Sequence, residues 1–259
     1  MKELRTMIDI HSHILNNIDD GARDLETAVR MCRVAKENGI DRIVATPHIR
    51  TMDDVDAFVA KRDNAIGILR EKLAEEDNDI ELFAGAEIYV DDDIFFANDL
   101  TRLTINSSRY LLVEFSFRNL RLRKIYEYLD EIMKHGLVPI IAHPERYEYF
   151  QQDYEAVNSL AKDGVLFQLN AASLASLDGR QEFELAYSMA YNGLASFIGT
   201  DAHSLVSRPN NIAHMMKYFP ADISSRNMQI MLHDGAQAVL ADEAVPQPER
   251  KAIHRRGFR

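Results

Sequence analysis

The chain has 259 residues, of which 46% are hydrophobic and 27% are charged, so it can build one large α/β domain with a sizeable core. Its formal net charge of -11 argues against an extended nucleic-acid surface, because phosphate neutralisation needs clustered lysine and arginine. The single cysteine, Cys32, cannot form an intramolecular disulfide, and neither a signal core nor an apolar run of transmembrane length is present. We therefore expect a soluble cytoplasmic protein with no nucleic-acid partner and no membrane span.

Strand-like and helix-like segments alternate along the chain. The predicted strands are residues 6–11, 42–46, 80–88, 110–115, 138–142, 165–170 and 196–199. The predicted helices are residues 25–38, 55–76, 120–135, 154–162, 182–191 and 223–240. Several strands are continuous apolar runs, which is typical of parallel strands covered on both faces. Seven strands, each followed by a helix or a helix-sized segment, predict a single α/β domain at residues 1–241, a distorted seven-stranded (β/α)7 TIM-like barrel.

The end of the chain differs from the rest. Residues 242–259 contain two prolines and finish in the basic sequence RRGFR. This composition predicts a flexible basic C-terminal tail. Such a tail could contact acidic lipid or an acidic partner, and a solvated tail without a partner is the simpler interpretation.

Histidines and carboxylates stand where most of the predicted strands end. The apolar runs finish in the sequences DIHSH, TPH, GAE, VE, AHPER and GTDAH. Imidazole and carboxylate groups hold divalent metals, and a parallel barrel gathers the carboxyl ends of its strands around one mouth. We therefore predict one metal cluster. Its candidate ligands are His11, His13, Asp20, His48, Glu87, Glu114, His143, Asp201 and His203.

The spacing of two ligand pairs strengthens this prediction. His11 and His13 lie two residues apart at the end of the first strand, so their side chains point to the same face. Asp201 and His203 repeat that spacing at the last strand. The first and last strands of a closed barrel are neighbours, so the two pairs would face each other. A single His-x-His motif carries much less weight and is more often structural.

Some of these residues also have structural interpretations. Asp19 and Asp20 precede a glycine, so either one folds back onto a metal or both form a turn at a helix entry. Glu87 and Glu114 end apolar strands, where a carboxylate needs compensation by a metal or by an arginine. The histidines to which the sequence gives no chemical role are His135, His214, His233 and His254.

Two arginines are candidates for phosphate binding. Arg146 and Arg208 are the arginines nearest to candidate ligands on the loops of the predicted barrel mouth, and Arg50 has a weaker case. A guanidinium binds phosphate oxygens in bidentate fashion, although each arginine could instead form a surface salt bridge. The cysteine-based phosphatase route is absent, because the arginine that it requires after the cysteine is replaced by Asn38.

The joint set of motifs resembles a known superfamily. DIHSHIL, IDDGA, ATPH, GAEIY, LVEFS, IAHPERY and GTDAHS are similar to the motifs of the polymerase-and-histidinol-phosphatase (PHP) superfamily. Within it, the similarity is greatest to the bacterial manganese-dependent protein-tyrosine phosphatases of capsule and exopolysaccharide operons, the CpsB/YwqE type. The resemblance covers residues 7–240 and implies a seven-stranded barrel with three divalent metal ions, manganese or else iron or zinc.

The resemblance also implies a distribution of ligands. The first ion would bind to His11, His13, Glu87 and Asp201; the second to Glu87, Glu114 and His143; and the third to Asp20, His48 and His203. Arg146 and Arg208 match arginines that hold the phosphate. The sequence departs from the family pattern in three loops, which contain Asn16-Asn17, Ser207-Arg208-Pro209-Asn210 and His233-Asp234-Gly235. These departures spare the ligands and affect segments that shape substrate access.

The implied activity is hydrolysis of a phosphomonoester, above all protein phosphotyrosine, with metal-activated water as the nucleophile. The implied partner is a tyrosine kinase that controls polysaccharide export. One alternative is a small-molecule phosphatase of the histidinol-phosphatase type or a nuclease-like phosphoesterase, and the acidic composition weighs against the nuclease. Another is a regulatory module that docks on a tyrosine kinase and keeps metals only for stability, and the complete ligand set weighs against it. Oligomeric state remains open.

Overall fold

The computed structural model describes residues 6–97 and 99–255. Within these residues the chain forms nine strands and ten α-helices. The strands are β1 (Met7–Ser12), β2 (Ile40–Ala45), β3 (His48–Ile49), β4 (Glu81–Ala84), β5 (Glu87–Tyr89), β6 (Tyr110–Glu114), β7 (Val138–Ala142), β8 (Leu166–Asn170) and β9 (Phe197–Gly199). The helices are α1 (Leu25–Glu37), α2 (Val55–Glu75), α3 (Leu122–Lys134), α4 (Glu148–Gln152), α5 (Tyr154–Lys162), α6 (Ala171–Leu174), α7 (Arg180–Tyr191), α8 (Ile212–Met215), α9 (Ser225–Gln229) and α10 (Gly235–Leu240).

All the strand pairs in the described residues are parallel, and they form two sheets. One sheet has the order β1-β2-β4, and the other has the order β3-β5-β6-β7-β8-β9. The predicted α/β class is therefore confirmed. The hydrogen bonding divides the strands between two sheets, whereas the sequence predicted one closed barrel.

Nine strands replace the predicted seven because one predicted strand is divided and because a short additional strand, β3, follows the predicted strand at 42–46. The predicted strand at 80–88 becomes β4 and β5, and a second break at Thr46-Pro47 separates β2 from β3. Proline has no N–H for the ladder, so pairing lapses at Pro47. Backbone bonds still cross both breaks, since the N–H of Gly85 donates to the carbonyl of Ala45 over 2.9 Å and that of Glu87 donates to Pro47 over 3.1 Å.

The chain segment after β9 lies beside β1. The N–H of Asp201 donates to the carbonyl of His11 and the N–H of His13 donates to Ala202, both over 2.9 Å. Below them, the buried carboxylate of Asp9 accepts hydrogen bonds from the backbone N–H and the hydroxyl of Thr200. This seam places the two ligand pairs side by side, as the sequence predicts.

Amphipathic helices cover the outside of the sheets. In α1, Ala28, Met31, Cys32 and Ala35 repeat at helical spacing and are all buried. The same helix starts at Asp24, whose side chain accepts a hydrogen bond from the N–H of Thr27. Burial of such stripes fixes the helices against the strands and leaves the strand ends to form the site.

Residues 242–255 pack against the domain. The N–H of Ile253 donates to the side-chain oxygen of Asn158, whose amide donates back to the Ile253 carbonyl, and Ile253 is 1% exposed. The N–H of Lys251 donates to the carbonyl of Asn192. This packing differs from the flexible tail that the composition predicts, because two apolar side chains, those of Val245 and Ile253, are buried. The rest of that predicted tail, residues 256–259, lies outside the described residues. Among the helices described, none is long and apolar enough to cross a membrane.

Gly235, the first residue of α10, lies directly against Ser196 and Phe197 at the start of β9. A Cβ atom at this position would lie 2.5 Å from the carbonyl oxygen of Ser196 and 3.1 Å from the ring of Phe197. We expect Gly235→Ala to lower the free energy of unfolding by about 1–3 kcal/mol, as overpacking does elsewhere. Urea denaturation measures this change.

Gly67 is the matched control, since it lies inside α2 and a Cβ there meets no heavy atom of the described residues within 4 Å. Gly67→Ala should raise stability by about 0.5–1 kcal/mol through its helix preference. An equal change in the free energy of unfolding in Gly235→Ala and Gly67→Ala would contradict the close contact assigned to Gly235.

Candidate metal centre

The structure brings all nine candidate ligands to one end of the strands. Seven of them are buried, His48 is partly buried and Asp20 is exposed. The buried ligands are His11, His13, Glu87, Glu114, His143, Asp201 and His203. Buried imidazole and carboxylate groups at this density require charge compensation.

Two ligands leave their strands in a strained conformation. His143 directly follows β7 with φ at 34°, and Asp201 lies just after β9 with φ at 50°. Residues other than glycine adopt this left-handed conformation rarely, and such strain is common at functional sites. Here it turns the chain at the strand end while keeping each side chain in the cluster.

The tightest donor set contains His11, His13, Glu87 and Asp201. The Nε2 atoms of the two histidines are 3.1 Å apart. Glu87 Oε2 is 3.2 Å from each of them, and Asp201 Oδ1 lies 3.6 Å from His11 Nε2 and 3.4 Å from His13 Nε2. Four potential metal donors thus surround one point.

The hydrogen bonds of the Nδ1 atoms of His11 and His13 determine which tautomer each ring adopts. The Nδ1–H of His11 donates to Gln168 Oε1 over 2.6 Å, and the Nδ1–H of His13 donates to Asp19 Oδ2 over 2.7 Å. A neutral imidazole that donates from Nδ1 has a lone pair on Nε2. When both rings are neutral, two lone pairs and two carboxylate oxygens converge, and this donor set fits a divalent cation.

The buried carboxylates of Glu87 and Asp201 require positive charge at the same point. Burial alone would lower the pKa of His11, but the carboxylates of Glu87 and Asp201 outweigh it and raise this pKa to about 9. Burial likewise opposes ionisation of Glu87 and Asp201, and the adjacent histidines nevertheless hold the pKa of both carboxyls well below the usual range. Protons can supply this charge, and so can a metal ion.

Glu87 also faces a second donor set. Its Oε1 atom is 3.0 Å from His143 Nε2, which lies 3.7 Å from Glu114 Oε1. His48 Nδ1 is 3.0 Å from Glu87 Oε2 and 3.9 Å from Glu114 Oε2. Burial, followed by the charge of Glu87, raises the pKa of Glu114 to about 7. Glu87 is therefore shared between two donor sets.

A third set includes the exposed loop carboxylate. Asp20 Oδ1 lies 3.6 Å from His48 Nε2 and 3.7 Å from His203 Nε2. The Nδ1–H of His203 donates to the carbonyl of Asp201 over 2.8 Å, which leaves a lone pair on its Nε2. Burial, together with the neighbouring His13, lowers the pKa of His203 to about 4, so this ring stays neutral.

The two adjacent aspartates have different positions. Asp20 faces His48 and His203, whereas Asp19 accepts bonds from His13, from the His48 N–H over 2.8 Å and from the Gly21 N–H over 2.9 Å. The loop can turn here only at a glycine, because a Cβ at Gly21 would lie 2.0 Å from the carbonyl oxygen of His13. Asp19 thus orients ligands from outside the donor sets.

Several ligand atoms are buried without a hydrogen-bond partner among the described residues. They are His48 Nδ1, Glu87 Oε2, His143 Nδ1 and His203 Nε2. Leaving a buried polar atom unsatisfied is unfavourable by about 1–3 kcal/mol, so such a concentration points to missing partners. Three of these atoms face the donor sets described above, which supports the fit of metal ions to the cluster.

A cavity of about 310 Å³ opens above the ligands. Arg50, Arg146 and Arg208 line it. The guanidinium Nη1 atoms of Arg146 and Arg208 lie 3.4 Å and 3.1 Å from Asp201 Oδ2. Both arginines are partly exposed, so their guanidinium groups are accessible from the cavity.

The histidines that the sequence left without a role lie elsewhere. His135 is near Glu131 at the end of α3, the ring of His214 contacts that of Tyr218, and His233 Nδ1–H donates to a backbone carbonyl. Of these and His254, none belongs to the possible metal-binding groups found in the described part of the chain.

Sequence reasoning missed a hydrogen-bonded chain on β8. Gln168 accepts from His11 and donates to Asn170 Oδ1 over 3.0 Å, and the amide of Asn170 donates to Asp201 Oδ2 over 3.0 Å. The chain orients two ligands of the tightest set. The sequence does contain a signal for this chain. Gln168 and Asn170 lie two residues apart near the end of an apolar strand, so their side chains point to the same face.

We expect Gln168→Leu to weaken manganese binding about 10–100-fold, the usual range for partners of metal ligands. Leucine cannot accept from His11 Nδ1, so the favoured tautomer is lost. Calorimetric titration of the metal-stripped protein measures the affinity. Gln181→Leu is the control, because Gln181 is exposed on α7. An affinity in Gln168→Leu equal to that of the control would contradict the orienting role.

Comparison with known proteins identifies the family. A family model described as capsular polysaccharide synthesis, CpsB/CapC, matches residues 7–241. The chain belongs to the CpsB/CapC family. This confirms the resemblance to the CpsB/YwqE type that the motifs indicate.

Relatives in the CpsB/CapC family match along most of the chain. The tyrosine-protein phosphatase YwqE of Bacillus subtilis (strain 168) is 29% identical over 252 residues, which cover 95% of this chain and 97% of that protein. The putative tyrosine-protein phosphatase CapC of Staphylococcus aureus is 34% identical over 212 residues, which cover 78% and 79%. A similar solved structure comes from a study of YwqE from Bacillus subtilis and CpsB from Streptococcus pneumoniae, described as unique metal-dependent tyrosine phosphatases. Its TM-score is 0.85 at 28% sequence identity, and the match covers 96% of this chain and 100% of that chain.

Two of the loops in which we expect departures from the family pattern have defined conformations or contacts. Asn17, in the Asn16-Asn17 step, has φ at 58°, a left-handed conformation that asparagine tolerates better than most residues. In the loop after His203, the buried amide of Asn210 donates to the hydroxyl of Ser12 over 3.1 Å.

Proposed function

We propose that this protein is a metal-dependent tyrosine-protein phosphatase that acts in the regulation of capsule or exopolysaccharide synthesis. The observation that carries the proposal is the convergence of buried histidines and carboxylates below a cavity lined by arginines. The match to YwqE across nearly the whole chain gives that site its chemistry, because the relatives are named tyrosine-protein phosphatases. The phosphomonoester would enter the cavity with its phosphoryl group toward the cluster.

We further propose that the cluster holds three divalent ions, manganese in the first instance, with iron or zinc as alternatives. The proposed ligands are His11, His13, Glu87 and Asp201 for one ion, Glu87, Glu114 and His143 for another, and Asp20, His48 and His203 for the last. The distances among these side chains support the assignment. When bound, such ions lower the pKa of water and stabilise charge on phosphate oxygens.

Arg146 and Arg208 would hold the phosphoryl group. Both guanidinium groups meet at Asp201 Oδ2, so a phosphate above this carboxylate could accept from each of them. The arginines then stabilise the charge that develops on the non-bridging oxygens as the ester bond breaks. Asp201 keeps them pointed at the cavity before substrate binds.

The proposed scaffold is a distorted seven-stranded barrel. The bonds between β1 and the segment after β9 would close one side, and the bonds across the breaks near Pro47 and Gly85 would join the two sheets. Such a barrel has one mouth, where the strand ends supply the ligands.

The proposed partner is the tyrosine-phosphorylated segment of a kinase that controls polysaccharide export. The family description, capsular polysaccharide synthesis, supports that context. A cytoplasmic location is part of the same proposal, and the buried free thiol of Cys32 agrees with a reducing compartment.

The direct test is hydrolysis by metal-stripped protein that has been reloaded with manganese. A phosphotyrosine peptide, a phosphoserine peptide and histidinol phosphate would be compared, with His11→Ala as the inactive variant and His135→Ala as the matched control outside the cluster. We expect manganese-dependent release from phosphotyrosine that is lost only in His11→Ala. Preference for histidinol phosphate would show that the substrate is a small phosphate monoester rather than phosphotyrosine. The absence of hydrolysis in fully loaded protein would favour a binding module.

A further inference from the structure

The cavity above the cluster has aromatic side chains beside its arginines. Tyr89, Phe115 and Phe117 line it together with Arg146 and Arg208. Its volume of about 310 Å³ is at the small end for a ligand site, enough for one side chain. Metal and phosphate binding do not require apolar rings, so the aromatic wall needs its own explanation.

Phe117 is held next to the groups that would bind the phosphoryl moiety. Its ring centroid is 4.6 Å from the guanidinium carbon of Arg146 and 5.7 Å from the ring centroid of His143. The ring also stacks on Tyr147, with centroids 5.4 Å apart. Tyr147 is fully buried, whereas Phe117 is half-buried and lines the cavity. The ring is therefore supported from the core side and accessible from the cavity.

Tyr89 adds a second ring near the mouth. It lies two residues after Glu87 on β5, so the two side chains point to the same face of the strand. It is paired in register with Glu114 at the end of β6. Tyr89 is half-buried and lines the same cavity. Tyr89 and Phe117 thus both contribute accessible rings to the cavity that contains the candidate ligands Glu114 and His143.

We propose that Phe117, assisted by Tyr89, is the subsite for the aromatic ring of an aryl phosphate, and that it sets the preference for phosphotyrosine over phosphoserine. This inference rests on the proposed phosphatase function. The ring of an aryl phosphate is attached directly to the ester oxygen, so a phosphoryl group held by Arg146 brings that ring against Phe117. Aromatic pairs gain from edge-to-face or offset contact. The single methylene of phosphoserine offers no comparable surface.

The test uses binding and needs no turnover. Calorimetry on the manganese-loaded protein would compare phenylphosphonate, methylphosphonate and inorganic phosphate. We expect the wild type to prefer phenylphosphonate over methylphosphonate and Phe117→Leu to reduce that preference about three- to tenfold, with phosphate affinity unchanged. Phe117→Tyr keeps the ring and should restore the preference. Phe96→Leu is the control, since Phe96 is 80% exposed and outside the cavity lining.

Other results would overturn the subsite. A wild type without preference, or a preference that survives in Phe117→Leu, would show that the ring contacts no ligand. An equal loss of affinity for all three probes would mean that Phe117 only supports Arg146. Failure of the proposed phosphatase function would give a different result. The preference for phenylphosphonate would then be present in the wild type and reduced in Phe117→Leu, while phosphotyrosine peptides would not be hydrolysed.

Discussion

Glu87→Gln is expected to abolish metal-dependent phosphotyrosine hydrolysis, with a loss of about a thousandfold, or roughly 4 kcal/mol of barrier. Its carboxylate contacts His11, His13, His48 and His143 at 3.0–3.2 Å, so it is shared by donor sets that no other single residue joins. Glutamine keeps the shape and removes the negative charge. Elemental analysis after reloading should show fewer ions per chain, and initial rates measure the activity.

Glu145→Gln is the matched control for this substitution. Glu145 is a fully buried carboxyl two residues after His143, and burial raises its pKa to about 7. Its Oε1 accepts from the N–H of Asn170 over 2.9 Å, which a glutamine oxygen can also do. We expect the metal content of this variant to equal that of the wild type. Full metal content in Glu87→Gln would contradict the bridging role.

Manganese should stabilise the protein more strongly as the pH rises. In the metal-free protein, burial is outweighed by Glu87 and Asp201, and the pKa of His11 rises from 6.5 to about 9. Protonated His11 therefore stabilises the metal-free fold fully below pH 6.5, and this contribution is lost as the pH rises through about 9. A metal ion competes with that proton for Nε2, so binding releases protons and tightens with pH.

The expected size can be estimated from ligand linkage. A ligand at about a thousand times its Kd stabilises by roughly 4 kcal/mol, which corresponds to a rise in Tm of about 10 °C for a chain of this size. Thermal melts with and without manganese, at pH 6.5 and pH 9, the two pKa limits of His11, would measure the difference. Calorimetry in two buffers of unequal ionisation enthalpy would count the released protons. A stabilisation that shrinks with rising pH would contradict the account.

The convergence of the candidate ligands was predictable because it depends on local sequence. Apolar runs that end in His11, His48 or His143 identify strand ends from neighbouring residues alone, and parallel strands bring their carboxyl ends together. The two-residue spacing of Asp201 and His203 likewise assigns a face without any tertiary information. The structure places these side chains within contact distance of one another or of a shared carboxylate.

Features that depend on distant contacts were not predictable. The anchoring of Ile253 requires Asn158, which is far away in sequence, so composition alone predicted a flexible tail. The predicted strand at 80–88 divides at Gly85, where a Cβ atom would lie 2.9 Å from the side chain of Val44 on the neighbouring strand, a contact that the local sequence does not reveal. The distinct positions of Asp19 and Asp20 depend on which histidines surround each carboxylate.

The most direct test of the metal centre is anomalous scattering from crystals of the manganese-loaded protein, recorded on both sides of the manganese edge. We expect three peaks, with Glu87 between two of them and Asp20, His48 and His203 around the other. Peaks that avoid Glu87, or no peak near the strand ends in fully loaded protein, would contradict it.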